Sequence, residues 1–413
     1  MRGKRFSFIL ASLLTLLALT LAACGSQGGG SSTGSGVNYS GTIVIWHNWQ
    51  GSYLNEKRAI FDAYQQLHPN VTIQLIHQDD LIQKATNAVN AGQGPDMIAW
   101  VDDQLGALAK SQVVVPLDKY IDKSFVESTY NPAAAQAVQF NGHVYGVPES
   151  VEAITLMYNP SLVSADQLPK TTDDMVTFNQ TFAQAHPGSY GIVWNPTDAY
   201  FNAPWFYGFG GYYVKEDGTV GLNTPGSLAA GKFIASFRPT LPKQIDYGVA
   251  DTLFKEGKAA AIINGPWAYS DYAKLGVGFA TLPNITATGK PASPFVGVKS
   301  LWVTKTSKNA ALDADLMKFY TNTANQIVMA KVNGEIPANL AADNDPSVQA
   351  LPSVGGFAAQ AKVGVPLPNT PFMSALWDPT AKALQTIWNG SQTPDQALSD
   401  AQKAADAKVQ TLK

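Results

Sequence analysis

Apolar residues crowd into "TIVIW" at 42–46, which reads as a buried strand. From Leu54 the period changes: Ile60, Phe61, Tyr64 and Leu67 recur at helical spacing until Pro69 ends the segment. "VTIQL" at 71–75 alternates as a second strand, a second helix covers about 80–91, and a Gly-Gln-Gly-Pro turn at 92–95 leads into the strand "MIAW" at 97–100. This strand, helix, strand, helix, strand order predicts a parallel sheet with helices on both faces, since right-handed crossovers return each helix onto the sheet. In such sheets ligands sit beyond the carboxyl ends of the strands. Trp46 and Trp100 close two of these strands, so the "HNWQG" and "WVDDQ" loops are expected to open on one rim.

A second αβ region starts at about 155 and includes "LFKEGKAAAIINGPW", which reads as helix, Gly turn, apolar strand and loop. No Pro- or Ser-rich linker and no fixed-period repeat separates the halves. Two lobes joined by crossing strands are expected, with a cleft between them and a hinge beneath it.

The N-terminus adds compartment to this picture. "MRGKR" places Arg2, Lys4 and Arg5 before a mostly apolar run from Phe6 to Ala23, the pattern of a secretory signal peptide. The run ends in "LAAC", and the single cysteine of the chain, Cys24, resembles the lipidated residue of a bacterial lipobox. A stray thiol or an uncleaved anchor are the other readings. "GSQGGGSSTGSG" then supplies a flexible tether spanning roughly 17–21 Å on average. A lipid on Cys24 followed by this tether would hold a globular body near a membrane.

Composition narrows the function. From Cys24 to Lys413 the chain is too long for one ordinary core. Without Arg2, Lys4 and Arg5 there remain 25 Lys and Arg against 31 Asp and Glu, a net charge of −6. Nucleic acid is therefore not expected as a partner. The five histidines form no HExxH or His-x-His pattern and have no cysteine partner, so no metal is expected, and no cofactor. Neither a P-loop nor a GxSxG elbow is present, and "GFGGYY" lacks the setting of a dinucleotide fingerprint.

What recurs is an aromatic residue beside turn residues and carboxylates. Trp49 follows Asn48, Trp100 precedes Asp102 and Asp103, Glu152 sits in "ESVEAITLMYN", Tyr200 follows Asp198, Trp267 follows "NGP", and Trp377 precedes Asp378. A pyranose ring has an apolar CH face and a rim of hydroxyls, which calls for an aromatic platform and ionised acceptors. Each signal also has a plainer reading. A loop tryptophan is more often a core residue, as expected of Trp302 and Trp388, and most of the eight aromatics in "YFNAPWFYGFGGYY" must be packing. Asp102 or Asp103 alone would serve equally as a cap for the helix that follows.

Six blocks carry a resemblance that covers essentially the whole mature chain: "GTIVIWHNW", "GQGPDMIAWVDDQLGALAKSQVVVPL", "GHVYGVPESVEAITLMYN", "FKEGKAAAIINGPWAYS", "KPASPFVGVKSLWV" and "LPNTPFMSALWDP". In this order they are similar to the maltose/maltodextrin-binding proteins of ABC importers. The resemblance implies an α/β, two-lobed periplasmic-binding-protein-like fold, each lobe a mostly parallel sheet flanked by helices. The first lobe would take 39–150 with 301–346, the second 151–300 with 347–413, and crossings would lie near Val151–Ile154, Val296–Ser300 and 347–353. It further implies Trp100 as an aromatic contact, Asp103 and Glu152 as hydroxyl acceptors, and Tyr200, Trp267 and Trp377 as second-lobe platforms. Asp198 stands where the enteric type has glutamate.

This chain departs from the enteric pattern at Gln50 and Gly51, where that type has an acid and a lysine, and at Gln104 and Ala381, where it has arginines. Trp49 could add a platform. These changes point toward longer or cyclic α-glucans, or another disaccharide. The expected partners are maltose, maltotriose or a longer glucan, a membrane permease and, through Cys24, the membrane, with the protein a monomer. The competing expectations are a secreted glycosidase using a carboxylate pair such as Asp103 and Glu152, and an adhesion or chaperone module with no small-sugar site.

Overall fold

The computed structural model describes residues 39–413. The signal peptide, Cys24 and the tether lie outside the described residues. In chain order the strands are β1 (Gly41–His47), β2 (Val71–His77), β3 (Met97–Val101), β4 (Gln139–Phe140), β5 (His143–Val144), β6 (Gly146–Glu152) and β7 (Thr155–Tyr158). They continue with β8 (Tyr190–Val193), β9 (Ala259–Asn264), β10 (Gly278–Ala280), β11 (Phe295–Val303), β12 (Ile336–Pro337) and β13 (Val365–Pro366). One sheet runs β12-β6-β11-β3-β1-β2, with β13 alongside β11; a second runs β10-β7-β9-β8; β4 and β5 form a hairpin.

The expected βαβαβ start is present, with β1 parallel to both β2 and β3. Side chains alternate across β3 as a pleated strand requires. Met97 and Ala99 join the core under the helix Gly51–Leu67 with Phe61 and Tyr64, while Ile98 joins Leu81, Ala85 and Val89 of the helix Leu81–Asn90 on the other face. Leu67 departs from the helical pattern. It ends the last turn and is 65% exposed, because Tyr64 already closes the core there.

Neither sheet is mostly parallel, which corrects one expectation. β11 is antiparallel to β3 and β6. In the second sheet only β8 and β9 run parallel, while β7 opposes both β9 and β10. The cause is the crossing itself. Only Ala153 and Ile154 separate β6 in one sheet from β7 in the other, and the chain returns through β11, so outgoing and returning strands must run oppositely.

That antiparallel return brings chemistry to one rim. Lys299 lies opposite Val101, Ser300 opposite Trp100, and Gly297 opposite Glu152. The carboxyl ends of β1, β3 and β6 therefore share an edge with the first half of β11.

Candidate functional site

β3 ends in the tight turn Asp102–Gln104, whose three residues are all buried. Neither aspartate caps the helix Leu105–Lys110 that follows. Instead Asp102 Oδ1 accepts from the Val298 N–H at 2.8 Å, fastening the turn to β11. Burial drives its carboxyl well above the usual range, opposed by the Val298 bond and raised further by Asp103. Asp103 turns the other way. It accepts from the indole N–H of Trp100 at 3.2 Å, from the Gln104 amide, and from the indole N–H of Trp377 at 2.8 Å. Burial still pushes it up to about 6 despite those three donors.

Trp377 begins the helix Trp377–Asn389, and its ring meets Phe295 at 6.1 Å, nearly edge-on. Phe295 in turn lies 6.2 Å from Tyr200, which lies 6.2 Å from Trp267. Tyr200 is set by the helix Ala199–Gly208, capped by Asp198, whose side chain accepts from the Phe201 N–H at 3.1 Å. Trp267 is set by the turn Pro266–Ala268 after β9. Burial raises the Tyr200 hydroxyl well above its ordinary value, and Glu152, Asp102, Asp198 and Asp103 add to the effect. Four of the predicted acids therefore act on the hydroxyl of one predicted platform.

Glu152, at the end of β6, is 2% exposed, and Lys299 Nζ lies 3.0 Å from its Oε1. Burial lifts Glu152 to about 7, since Lys299 only partly offsets the desolvation and Glu335 adds repulsion. Lys299 also donates to the Tyr53 hydroxyl at 2.8 Å and sits 5.4 Å from the Trp267 ring centre. Behind Tyr53 lies a fully buried Lys57, paired with Glu335 at 2.8 Å and Glu149 at 2.9 Å. Burial alone would lower the Lys57 ammonium, but Glu149, Glu335 and Glu56 hold it raised.

Trp49 and Asp378 are engaged otherwise. Trp49 is 4% exposed and stacks on His47 at 4.8 Å and beside Phe61 at 6.1 Å, so its ring belongs to the core before any ligand. Asp378 points outward and pairs with Lys408 at 2.8 Å, one residue beyond Trp377 on the opposite side of the turn. Asn48 is exposed. Trp49 and Asn48 nevertheless line a cavity of about 70 Å³ together with Trp100, Glu149, Lys299 and Ser300. A larger hollow of about 410 Å³, walled by Phe209, Phe233, Thr172 and Asp173, holds none of the predicted residues. Trp302 and Trp388 are core residues, 0% and 5% exposed.

The residues that pattern reading missed are Lys299, Tyr53 and Phe295. A lone lysine in "FVGVKSLWV" was the available signal, because a cation inside an apolar strand needs a buried partner. Tyr53 offered none, since it reads as one more apolar helix position. Among the described residues, no helix is long and apolar enough to cross a membrane.

The maltotriose-binding protein of Pyrococcus abyssi is 31% identical over 84% of this chain and 78% of its own. The galactooligosaccharide-binding protein of Bacillus subtilis is 29% identical over 96% of each chain. Among solved structures, the maltose/maltodextrin-binding domain of Bdellovibrio bacteriovorus bound to maltotriose matches at 29% identity with a TM-score of 0.84, covering 89% of this chain and all of that one. The fold is the two-lobed α/β fold of that neighbour. A family model described as bacterial extracellular solute-binding protein matches residues 59–356. With that match over most of its length, the chain belongs to the bacterial extracellular solute-binding proteins.

Proposed function

We propose that this protein is an extracytoplasmic lipoprotein that captures maltodextrin-type oligosaccharides between its two lobes and delivers them to an ABC importer permease. The observation that carries the reading is Asp103. Its carboxylate is gripped by indole N–H groups from Trp100 on β3 and Trp377 on a distant helix, in a surround of Tyr200, Trp267 and Phe295. Sugar hydroxyls donate to a carboxylate as these indoles do, and pyranose faces stack on such rings. The ligands for which the relatives are named, maltotriose and galactooligosaccharide, support the oligosaccharide class.

In this reading 39–150 with 301–346 form the first lobe, 151–300 with 347–413 the second, and the β6-to-β7 passage is the hinge. Trp100 and Asp103 serve the first side, Glu152 the hinge, and Tyr200, Trp267 and Trp377 the second side. Asp102 and Asp198 hold the frame through Val298 and Phe201. Cys24 carries the lipid.

No covalent chemistry is part of the proposal. A buried Glu152 raised to about 7 is the kind of group a glycosidase would use as its acid. The partner carboxylate, however, is engaged already: Asp103 accepts from Trp100, Gln104 and Trp377. Ultrafiltration with maltoheptaose followed by chromatography tests both halves. The sugar should be retained with the protein and recovered uncut; shorter products that vanish in Glu152→Gln would overturn the reading.

A further inference from the structure

The loop after β1 offers no cation to a ligand. Gln50 and Gly51 lead into the helix Gly51–Leu67, and Ser52 there donates to Asp271 at 3.0 Å. A cation reaches the same rim from β11. Lys299 Nζ stands 3.0 Å from Glu152 Oε1, which is buried and, among the described residues, accepts no aligned hydrogen bond. We propose that Lys299 and Glu152 form a paired site for a vicinal diol of a pyranose ring, one hydroxyl donating to Glu152 Oε1 and its neighbour accepting from Lys299 Nζ. This deepens, and rests on, the sugar-binding reading.

The ammonium is held for that task. The Tyr53 hydroxyl lies 2.5 Å from Glu335 and 3.0 Å from Glu149, so its own proton is committed to those carboxylates and its lone pair faces Lys299. Lys57 neutralises the two glutamates from behind. Lys299 is thus positioned by Tyr53, lies 4.2 Å over that ring, and faces the Trp267 ring at 5.4 Å. An ammonium has three protons, of which Tyr53 takes one, leaving donors for a ligand. The side chain remains 18% exposed and lines the same cavity as Trp100.

Geometry sets the selectivity. Neighbouring hydroxyls held gauche on a pyranose ring have their oxygens about a hydrogen-bond length apart, matching the 3.0 Å between Nζ and Oε1. Trans-diaxial hydroxyls point apart and cannot engage both groups. The site therefore selects rings with a free gauche diol and loses one charge-assisted bond for each missing hydroxyl.

The test is calorimetric titration of maltotriose and its monodeoxy analogues into wild type and Lys299→Met. Wild type should bind maltotriose, and Lys299→Met should weaken it roughly 10- to 100-fold. One monodeoxy analogue should lose a similar factor in wild type yet lose almost nothing further in Lys299→Met, because both changes delete the same bond. Lys299→Met with unchanged maltotriose affinity overturns the diol site while the sugar-binding reading stands. Equal losses for every analogue also overturn it, reducing Lys299 to charge compensation of Glu152. If Lys299→Met does not fold, the wild-type analogue series decides: no single deoxygenation costing tenfold overturns the pairing. Wild type binding no α-glucan at all overturns the sugar-binding reading, and the diol site with it.

Discussion

Glu152 and Asp103 are buried carboxyls whose desolvation outweighs the cation and donors that face them, raising them to about 7 and about 6. A raised acid pKa means the folded state holds its proton longer than the unfolded chain, so these two groups favour the fold at low pH and withdraw that support as pH rises through their folded values. Ligand binding has the opposite sign, since hydroxyls donate best to the ionised forms. Affinity for maltotriose should therefore fall from pH 8 to pH 5.5, with proton release on binding detectable by titration in buffers of different ionisation enthalpy. A flat profile would remove Glu152 from the site. At the same scale Trp377 and Trp388 are opposites. A stacked Trp377 hides about 100 Å² of apolar surface, worth about 2.5 kcal/mol at 25 cal/mol per Å². Trp377→Ala should raise Kd roughly 30- to 100-fold. Trp388→Ala should instead cost about 3–5 kcal/mol of stability, since its ring is buried and its indole serves Lys243. Thermal melts of the two unliganded variants, with Trp377→Ala the more stable, check the assignment. That Trp100 stands beside Asp103 was legible because the two share one contiguous motif. The burial of Trp49 was not, because its stack on His47, Phe61 and Tyr320 is assembled from segments far apart in sequence.

Between residue and molecule stands the join of β3 to β11. Asp102 makes that join by accepting from the Val298 N–H, and Lys299, next along β11, inherits its place from it. Asp102→Ala leaves a buried N–H without an acceptor and should destabilise the protein by about 1–3 kcal/mol. Denaturant unfolding measures this, and an unchanged midpoint would mean the turn and strand are held otherwise. The first three strands and their two helices were readable from periodicity alone. Strand direction beyond them was not, because antiparallel pairing of β6 and β11 follows from where the chain crosses, and a short apolar strand such as "AAAIIN" carries no mark of its partner's direction. Asp378 shows the same limit on a helix: adjacent to Trp377 in sequence, it faces Lys408 of the final helix instead of the site.

For the whole molecule, the bond between Asp103 and Trp377 ties the two sides of the proposed cleft. A sugar ring that takes the place of the Trp377 N–H at Asp103 breaks this tie, and in the proposed reading the lobes part and close again around the ligand. Closure follows if the ligand contacts both lobes, since it then favours the closed population. Small-angle scattering with saturating maltotriose should give a curve distinct from that of the protein alone; superimposable curves, with binding proven independently, would indicate a rigid receptor. The tether and Cys24 predict attachment without insertion, so Cys24→Ala should move the protein from the membrane to the soluble fraction, and retention on membranes after signal cleavage would contradict the lipid anchor.

The central claim is that one maltodextrin-type oligosaccharide binds between the lobes. Calorimetric titration of maltose, maltotriose and maltotetraose into the purified wild-type protein addresses it most directly. The account predicts saturable binding of at least one of these glucans at one site per chain, with the negative heat-capacity change expected when aromatic faces are buried. A folded protein that shows no saturable heat with any of the three, yet binds galacto-oligosaccharides or nothing, would contradict it.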